Sequence, residues 1–194
     1  YTSGPSEDLT YVDQIQQYYQ FFYDRNIAVH MIPCDADFGR YKMVVAPVLY
    51  MVKEGEKEAL ERYEEQGGVL VTTYMSGIVD QSDNVYLGGY PGPLRTLAGV
   101  WVEEIDALSP KQSNEVIFQD GTKASCGLLC ELMHLEGAEC LARYGQDFYR
   151  DMPAVTKNRY GDGTTYYIGT RMEEGLEKIL ESAVSDAQVK PVLE

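Results

Sequence analysis

The chain has 194 residues, 31 acidic against 16 basic side chains, a formal charge of −15 and 44% hydrophobic residues. That is room for one domain with a full core, but too little for a complete (β/α)8 barrel, which takes about 250 residues. No apolar run approaches the ~18 residues of a membrane span, and an acid surplus without a basic cluster argues against nucleic acid and anionic membranes as partners.

In chain order, Val12, Ile15, Tyr19 and Phe22 recur at steps of three and four, which predicts an amphipathic helix ending near Arg25-Asn26. Thr10 with Asp13 resembles a capping box at its start. Ile27 to Ile32 is a short β-rich run stopped by Pro33, with acidic Asp35 and Asp37 in the loop beyond. Tyr41 to Ala46 reads as a buried strand closed by Pro47. Lys53 to Gln66 reads as a helix with Leu60 and Tyr63 on its apolar side, stopped by Gly67-Gly68 because glycine takes the left-handed conformation cheaply. Val69 to Tyr74 follows as another apolar strand. Helix, strand, strand, helix, strand with short connections predicts an α/β fold with a doubly wound, mostly parallel sheet.

A long segment bearing glycine and proline runs from Met75 to about Gly99. Strands are expected at Val100 to Ile105 and Glu115 to Phe118. A C-terminal β-hairpin is expected from Ala154 to Arg159 and Thr164 to Ile168, turning at Gly161-Asp162-Gly163. A last helix is expected from Met172 to about Val184. Residues 1–184 then form one domain, and 185–194 read as a linker or tail, with Leu193-Glu194 resembling a cloning scar. The opening Tyr1-Thr2-Ser3-Gly4-Pro5 has neither an initiator Met nor a signal-like pattern and reads as a cut end inside a longer protein.

The residue types that carry chemistry are sparse. Four Cys, at 34, 126, 130 and 140, are too few for a disulfide framework in a chain this long; they read as free thiols in a reducing, cytoplasmic compartment. Cys126, Cys130 and His134 would share one face of a helix, but three ligands at that spacing match no common zinc motif. The plainer reading is small thiols packed in a core, so no metal and no cofactor is expected. Open α/β sheets bind ligands beyond the carboxyl ends of their strands, where amidotransferases of this architecture carry a nucleophilic Cys. Here that place offers Tyr74, Met75 or Ser76, and neither His30 nor His134 lies where a triad base is expected.

The stretch from Asn84 to Val102 carries one charge, Arg95, together with the only Trp and two Tyr. Charge depletion with aromatics and one Arg is the composition of an interface core. It equally fits a loop folded over its own domain, burying Leu94, Leu97 and Trp101. The interface candidates are Tyr86, Tyr90, Pro91, Leu94, Arg95 and Trp101. Stacking of the sixteen Tyr and the Trp on sugar rings is a further reading, set against tyrosines that are half-buried fillers.

Several motifs in order resemble the middle domain of family 42 glycoside hydrolases, the bacterial β-galactosidases. They are Ser76-Gly77-Ile78-Val79-Asp80, Leu87-Gly88-Gly89-Tyr90-Pro91-Gly92-Pro93-Leu94-Arg95, Gly99-Val100-Trp101-Val102-Glu103-Glu104, Tyr144-Gly145-Gln146-Asp147-Phe148-Tyr149 and Pro153 through Gly163. Cys140 departs from the pattern, where a β-branched residue is expected. The resemblance implies a fold like class I glutamine amidotransferases (flavodoxin-like) and a trimerisation role. It places the catalytic Glu pair in an N-terminal barrel and a small β domain after this one, neither present here. It therefore carries no catalytic residue onto this chain. The implied partner is the chain itself, as a homotrimer of the whole enzyme, with weak or no association of the isolated domain.

Overall fold

The structure, a computed structural model, describes residues 8–192. The expectations for Tyr1 to Pro5 and for Leu193-Glu194 lie outside the described residues. Four helices, α1 (Tyr11–Asp24), α2 (Glu56–Glu65), α3 (Arg95–Ala98) and α4 (Leu176–Asp186), cover a nine-stranded sheet. Its strands are β1 (Met43–Ala46), β2 (Val69–Thr73), β3 (Val100–Ala107), β4 (Asn114–Phe118), β5 (Lys123–Leu135), β6 (Glu139–Tyr144), β7 (Pro153–Tyr160), β8 (Gly163–Ile168) and β9 (Thr170–Met172). The order is β1-β2-β8-β7-β6-β4-β5-β3, with β9 paired to β5.

β2 explains the layering. All five of its residues are buried, with Val69 and Val71 in one core beside Tyr18 and Phe22 of α1 and Ile179 and Leu180 of α4. Leu70 points the other way, into a core with Leu60 and Tyr63 of α2 and Leu97 of α3. A strand with helices on both faces must be apolar throughout, as its sequence is.

The expectation of a mostly parallel sheet is corrected. Only β1/β2 and β2/β8 are parallel; the other six pairings are antiparallel. The cause is connection length. Four residues join β4 to β5 and two join β7 to β8, whereas a parallel crossover needs about a dozen. The β7–β8 hairpin is present as expected, but it is built into the middle of the sheet.

Several local expectations also change. Ile27 to Ile32 forms no strand: among the described residues, no amide from Ala28 to Ile32 makes a backbone hydrogen bond. Of the Val12-Ile15-Tyr19-Phe22 stripe α1 fully buries Phe22, together with Gln14, Tyr18 and Phe21, whereas Val12 is 69% exposed and Tyr19 39%. Thr10 bonds the Asp13 carboxylate and caps no backbone amide. Cys126, Cys130 and His134 lie on strand β5, not on a helix. Leu128 takes a left-handed conformation in an irregularity between Gly127 and Cys130. At the C-terminus, Met172 belongs to β9, and α4 begins after Gly175. The supposed linker starts as part of the fold: Val189 packs on the core and the Val192 amide donates to the Asn26 carbonyl at 2.8 Å.

Candidate oligomerisation surface

The long segment from Met75 to Gly99 starts where β2 leaves the sheet. Met75 is left-handed (φ 57°) and its amide donates to the Glu131 carboxylate at 2.8 Å. The Tyr167 hydroxyl donates to the other Glu131 oxygen, also at 2.8 Å. Glu131 has no exposed surface. Burial lifts its carboxyl to about 7 against the opposing pull of these two hydrogen bonds.

No nucleophile is assembled at this rim. Ser76 is fully buried, accepts the Leu49 amide at 3.0 Å and shares a 2.9 Å hydrogen bond with Thr72 Oγ1. His30 sits beside the Tyr41 hydroxyl and His134 beside Glu103, so neither is a base for Ser76. Burial raises the Cys34 and Cys140 thiols, away from the reactive thiolate. Cys126, hydrogen-bonded to Cys130 and buried with it, is raised too, and neither sulfur is exposed. Among the described residues no group of three His, Cys, Asp or Glu is placed to hold a metal.

The segment itself is braced at both ends. Asp80 accepts the amides of Asn84 and Ser82, which hold its carboxyl below the usual range. Tyr86 donates through its hydroxyl to the Val52 carbonyl at 2.8 Å. Tyr90 exchanges backbone hydrogen bonds with Val102 of β3. Gly77 is left-handed, and a Cβ there would stand 2.1 Å from the Pro91 carbonyl oxygen. Replacing Gly77 with alanine is expected to cost about 2–3 kcal/mol, the strained backbone plus the forced separation of these two chain segments. Gly88→Ala, also at positive φ (98°) but with open space around it, should cost less, about 1 kcal/mol. Urea unfolding of the two variants checks the contrast; equal losses would refute it.

Beyond the brace, Arg95 binds the Glu136 carboxylate through two nitrogens, donates to the Gly88 carbonyl at 3.1 Å and lies 5.7 Å from the centre of the Trp101 ring. The Trp101 ring stacks on His134 at 4.9 Å, and His134 pairs with Glu103 at 2.8 Å. Gly89 sits against the Trp101 indole nitrogen so closely that a Cβ would approach it to 1.9 Å. The indole is thus packed against His134 and Gly89 of its own chain while staying partly exposed.

Of the six candidates from sequence, Leu94 has no exposed surface and Pro91 is buried; both pack within the chain and offer nothing to a partner as placed. Tyr86, Tyr90, Arg95 and Trp101 are partly exposed and lie along the brace. Sequence reasoning missed the large hydrophobic with the greatest exposure among the described residues. Leu87 is 97% exposed at the tip, with Val85 beside it at 53%. The signal available was a large aliphatic directly before Gly88-Gly89. A braced loop ending in a bare leucine has no chemistry to perform, but it can insert into a second surface.

Comparison with known proteins gives this geometry a context. A family model described as the β-galactosidase trimerisation domain matches residues 1–190. β-Galactosidase LacA of Lactobacillus acidophilus is 49% identical over 194 residues, the whole of this chain and 29% of that protein. β-Galactosidase BgaA of Planococcus sp. is 44% identical over 199 residues, again across the whole chain and 29% of its length. The crystal structure of the β-galactosidase from Bacillus circulans sp. alkalophilus superposes with a TM-score of 0.95 at 43% identity, covering all of this chain and 30% of that one. The chain therefore spans less than a third of the relatives it matches.

Proposed function

We infer the function from the family, since the chain belongs to the β-galactosidase trimerisation domain family, and propose that it holds three copies of a longer β-galactosidase together without catalysing anything itself. In this reading the parent hydrolyses terminal β-D-galactosides in the cytoplasm, with its catalytic Glu pair on a barrel N-terminal to this chain and a small β domain beyond the 185–194 tail. The helix-covered sheet with its parallel β1-β2-β8 part is then an amidotransferase-like fold relieved of its nucleophile, consistent with a Ser76 hydroxyl committed to Leu49 and Thr72.

The observation that carries the reading is Leu87, almost fully exposed on a loop otherwise fastened to its own domain. Burying one leucine against a neighbour contributes about 1.5–3 kcal/mol, or roughly tenfold or more in affinity per contact. Leu87→Asp in the full-length enzyme is expected to shift the trimer toward monomer in light scattering, raising the dissociation constant at least about tenfold. A trimer as tight as the unaltered enzyme's would reject this loop as the contact.

A further inference from the structure

Where β5 departs from regular pairing with β9, two thiols meet. Cys126 lies opposite Met172, Gly127 opposite Arg171 and Cys130 opposite Thr170. Leu128 and Leu129 are thus extra residues on the β5 side, and Leu128 is left-handed (φ 65°), a conformation that costs any residue but glycine. The bulge is fastened: the Leu108 amide donates to the Leu128 carbonyl at 2.9 Å, and the Thr170 hydroxyl to the Leu129 carbonyl at 2.7 Å. In a regular strand, cysteines four apart would stand about 13 Å from each other. Facing β9 residues only two apart, Cys126 and Cys130 share one face of the sheet, about 6.6 Å apart along the strand. That lies within the roughly 4.4–6.8 Å between Cα atoms that a disulfide spans.

The two sulfurs differ in their surroundings. The Cys126 thiol donates to Cys130 Sγ, and Thr170 Oγ1 stands 3.6 Å from that same atom. The Tyr149 hydroxyl is buried beside it with no partner of its own. The Cys126 thiol above all, with the Thr170 and Tyr149 hydroxyls adding to it, holds Cys130 below the usual thiol range against burial and the Asp106 carboxylate across β3. The hydrogen bond it donates, and burial, raise Cys126.

We propose that Cys126 and Cys130 are a redox pair that a hydroperoxide closes to a disulfide within β5, with Cys130 as the attacking sulfur and Cys126 as the resolving one. The Cys130 thiolate attacks a peroxide oxygen: an S–O bond forms, the O–O bond breaks and hydroxide leaves, so that sulfur is oxidised and the peroxide reduced. Cys126 then attacks the sulfenic sulfur: an S–S bond forms and the S–O bond breaks. The protons of the two thiols leave with the two oxygens, so one hydrogen peroxide gives one disulfide and two waters. Hydrogen peroxide is close to water in size, and β9, only three residues long, is the covering element that must open to admit it. A dithiol reductant reverses the reaction by exchange.

Tandem mass spectrometry of the folded chain tests this, after hydrogen peroxide at a dose that oxidises the exposed Cys34. The stretch 126–130 is expected to lose two hydrogens and to regain them with dithiothreitol. Removing the resolving thiol should leave the first product standing. Dimedone, which captures sulfenic acids, should therefore label Cys130 in Cys126→Ser at least about tenfold more than it labels Cys126 in Cys130→Ser. The bridge in the unaltered chain decides the matter by itself if either serine variant fails to fold. A 126–130 stretch that stays reduced while Cys34 is oxidised would overturn the proposal. So would a bridge from either residue to Cys34, to Cys140 or to a second chain, or equal dimedone labelling of the two folded variants.

Discussion

Replacing Glu131 with alanine is expected to lower the stability of this chain by about 4 kcal/mol at pH 6, a shift of roughly 10 °C in melting temperature for a domain of this size. The carboxyl is the only acceptor shown for the Met75 amide and the Tyr167 hydroxyl, both buried. Truncation strands both donors and leaves a cavity between β5, β8 and the end of β2. Near pH 6 most of the side chain is neutral, because burial has lifted it to about 7, so the loss reports hydrogen bonds and packing rather than charge. Glu131→Gln keeps an acceptor for Met75 and turns its amide toward the Tyr167 oxygen, and should cost about 1 kcal/mol. Denaturant midpoints for the two variants decide it. An alanine variant within 1 kcal/mol of the parent would mean that the turn at Met75 is held by something else.

Glu131 also shows where sequence reasoning stops. It is one of 31 acidic residues, and nothing local sets it apart; its partners lie 56 and 36 residues away. By contrast β2, α2 and the Gly161-Asp162 hairpin were legible because their signals are local: a run apolar on both faces, a 3.6-residue period with a glycine stop, and a two-residue turn. Strand direction was not legible, since it depends on which strands meet. The half of the sheet joined by short loops therefore came out antiparallel. Ile27–Ile32 carried a genuine β pattern, but a pattern records what a segment can bury, not which hydrogen bonds it makes. Charge depletion located the 84–102 segment correctly as unusual, yet Leu87 and Leu94 are the same residue type seven positions apart, one bare and one sealed. Composition cannot separate them; the brace through Gly77, Pro91 and Tyr90 does.

The second large effect concerns pH. Glu64 of α2 is fully buried against β8, with Thr165 donating to one carboxylate oxygen at 2.6 Å and the other oxygen unpartnered. Burial lifts it to about 8 despite the Thr165 hydroxyl. In the unfolded chain a Glu titrates near pH 4.3, so the folded state holds a proton that the unfolded state has released. Stability from this proton is complete below about pH 4.3 and is lost as pH rises to about 8. Glu131 acts in the same direction up to about 7. Asp120, bonded to Lys178, and Glu136, bonded to Arg95, are held low and act the opposite way, losing their contribution only as pH falls through the acid range. The chain should therefore be most stable near pH 4–5 and weaken steadily toward pH 8, although its net charge of −15 supplies some of that slope by repulsion. Glu64→Gln separates the two causes: it keeps an acceptor for Thr165 but has no proton to lose. Between pH 5 and pH 8 it should recover about 3 kcal/mol of the decline seen in the parent, measured by urea unfolding at each pH. Parallel curves for the two proteins would mean that the Glu64 carboxyl is already ionised in the folded chain and that Glu131 and long-range repulsion set the slope.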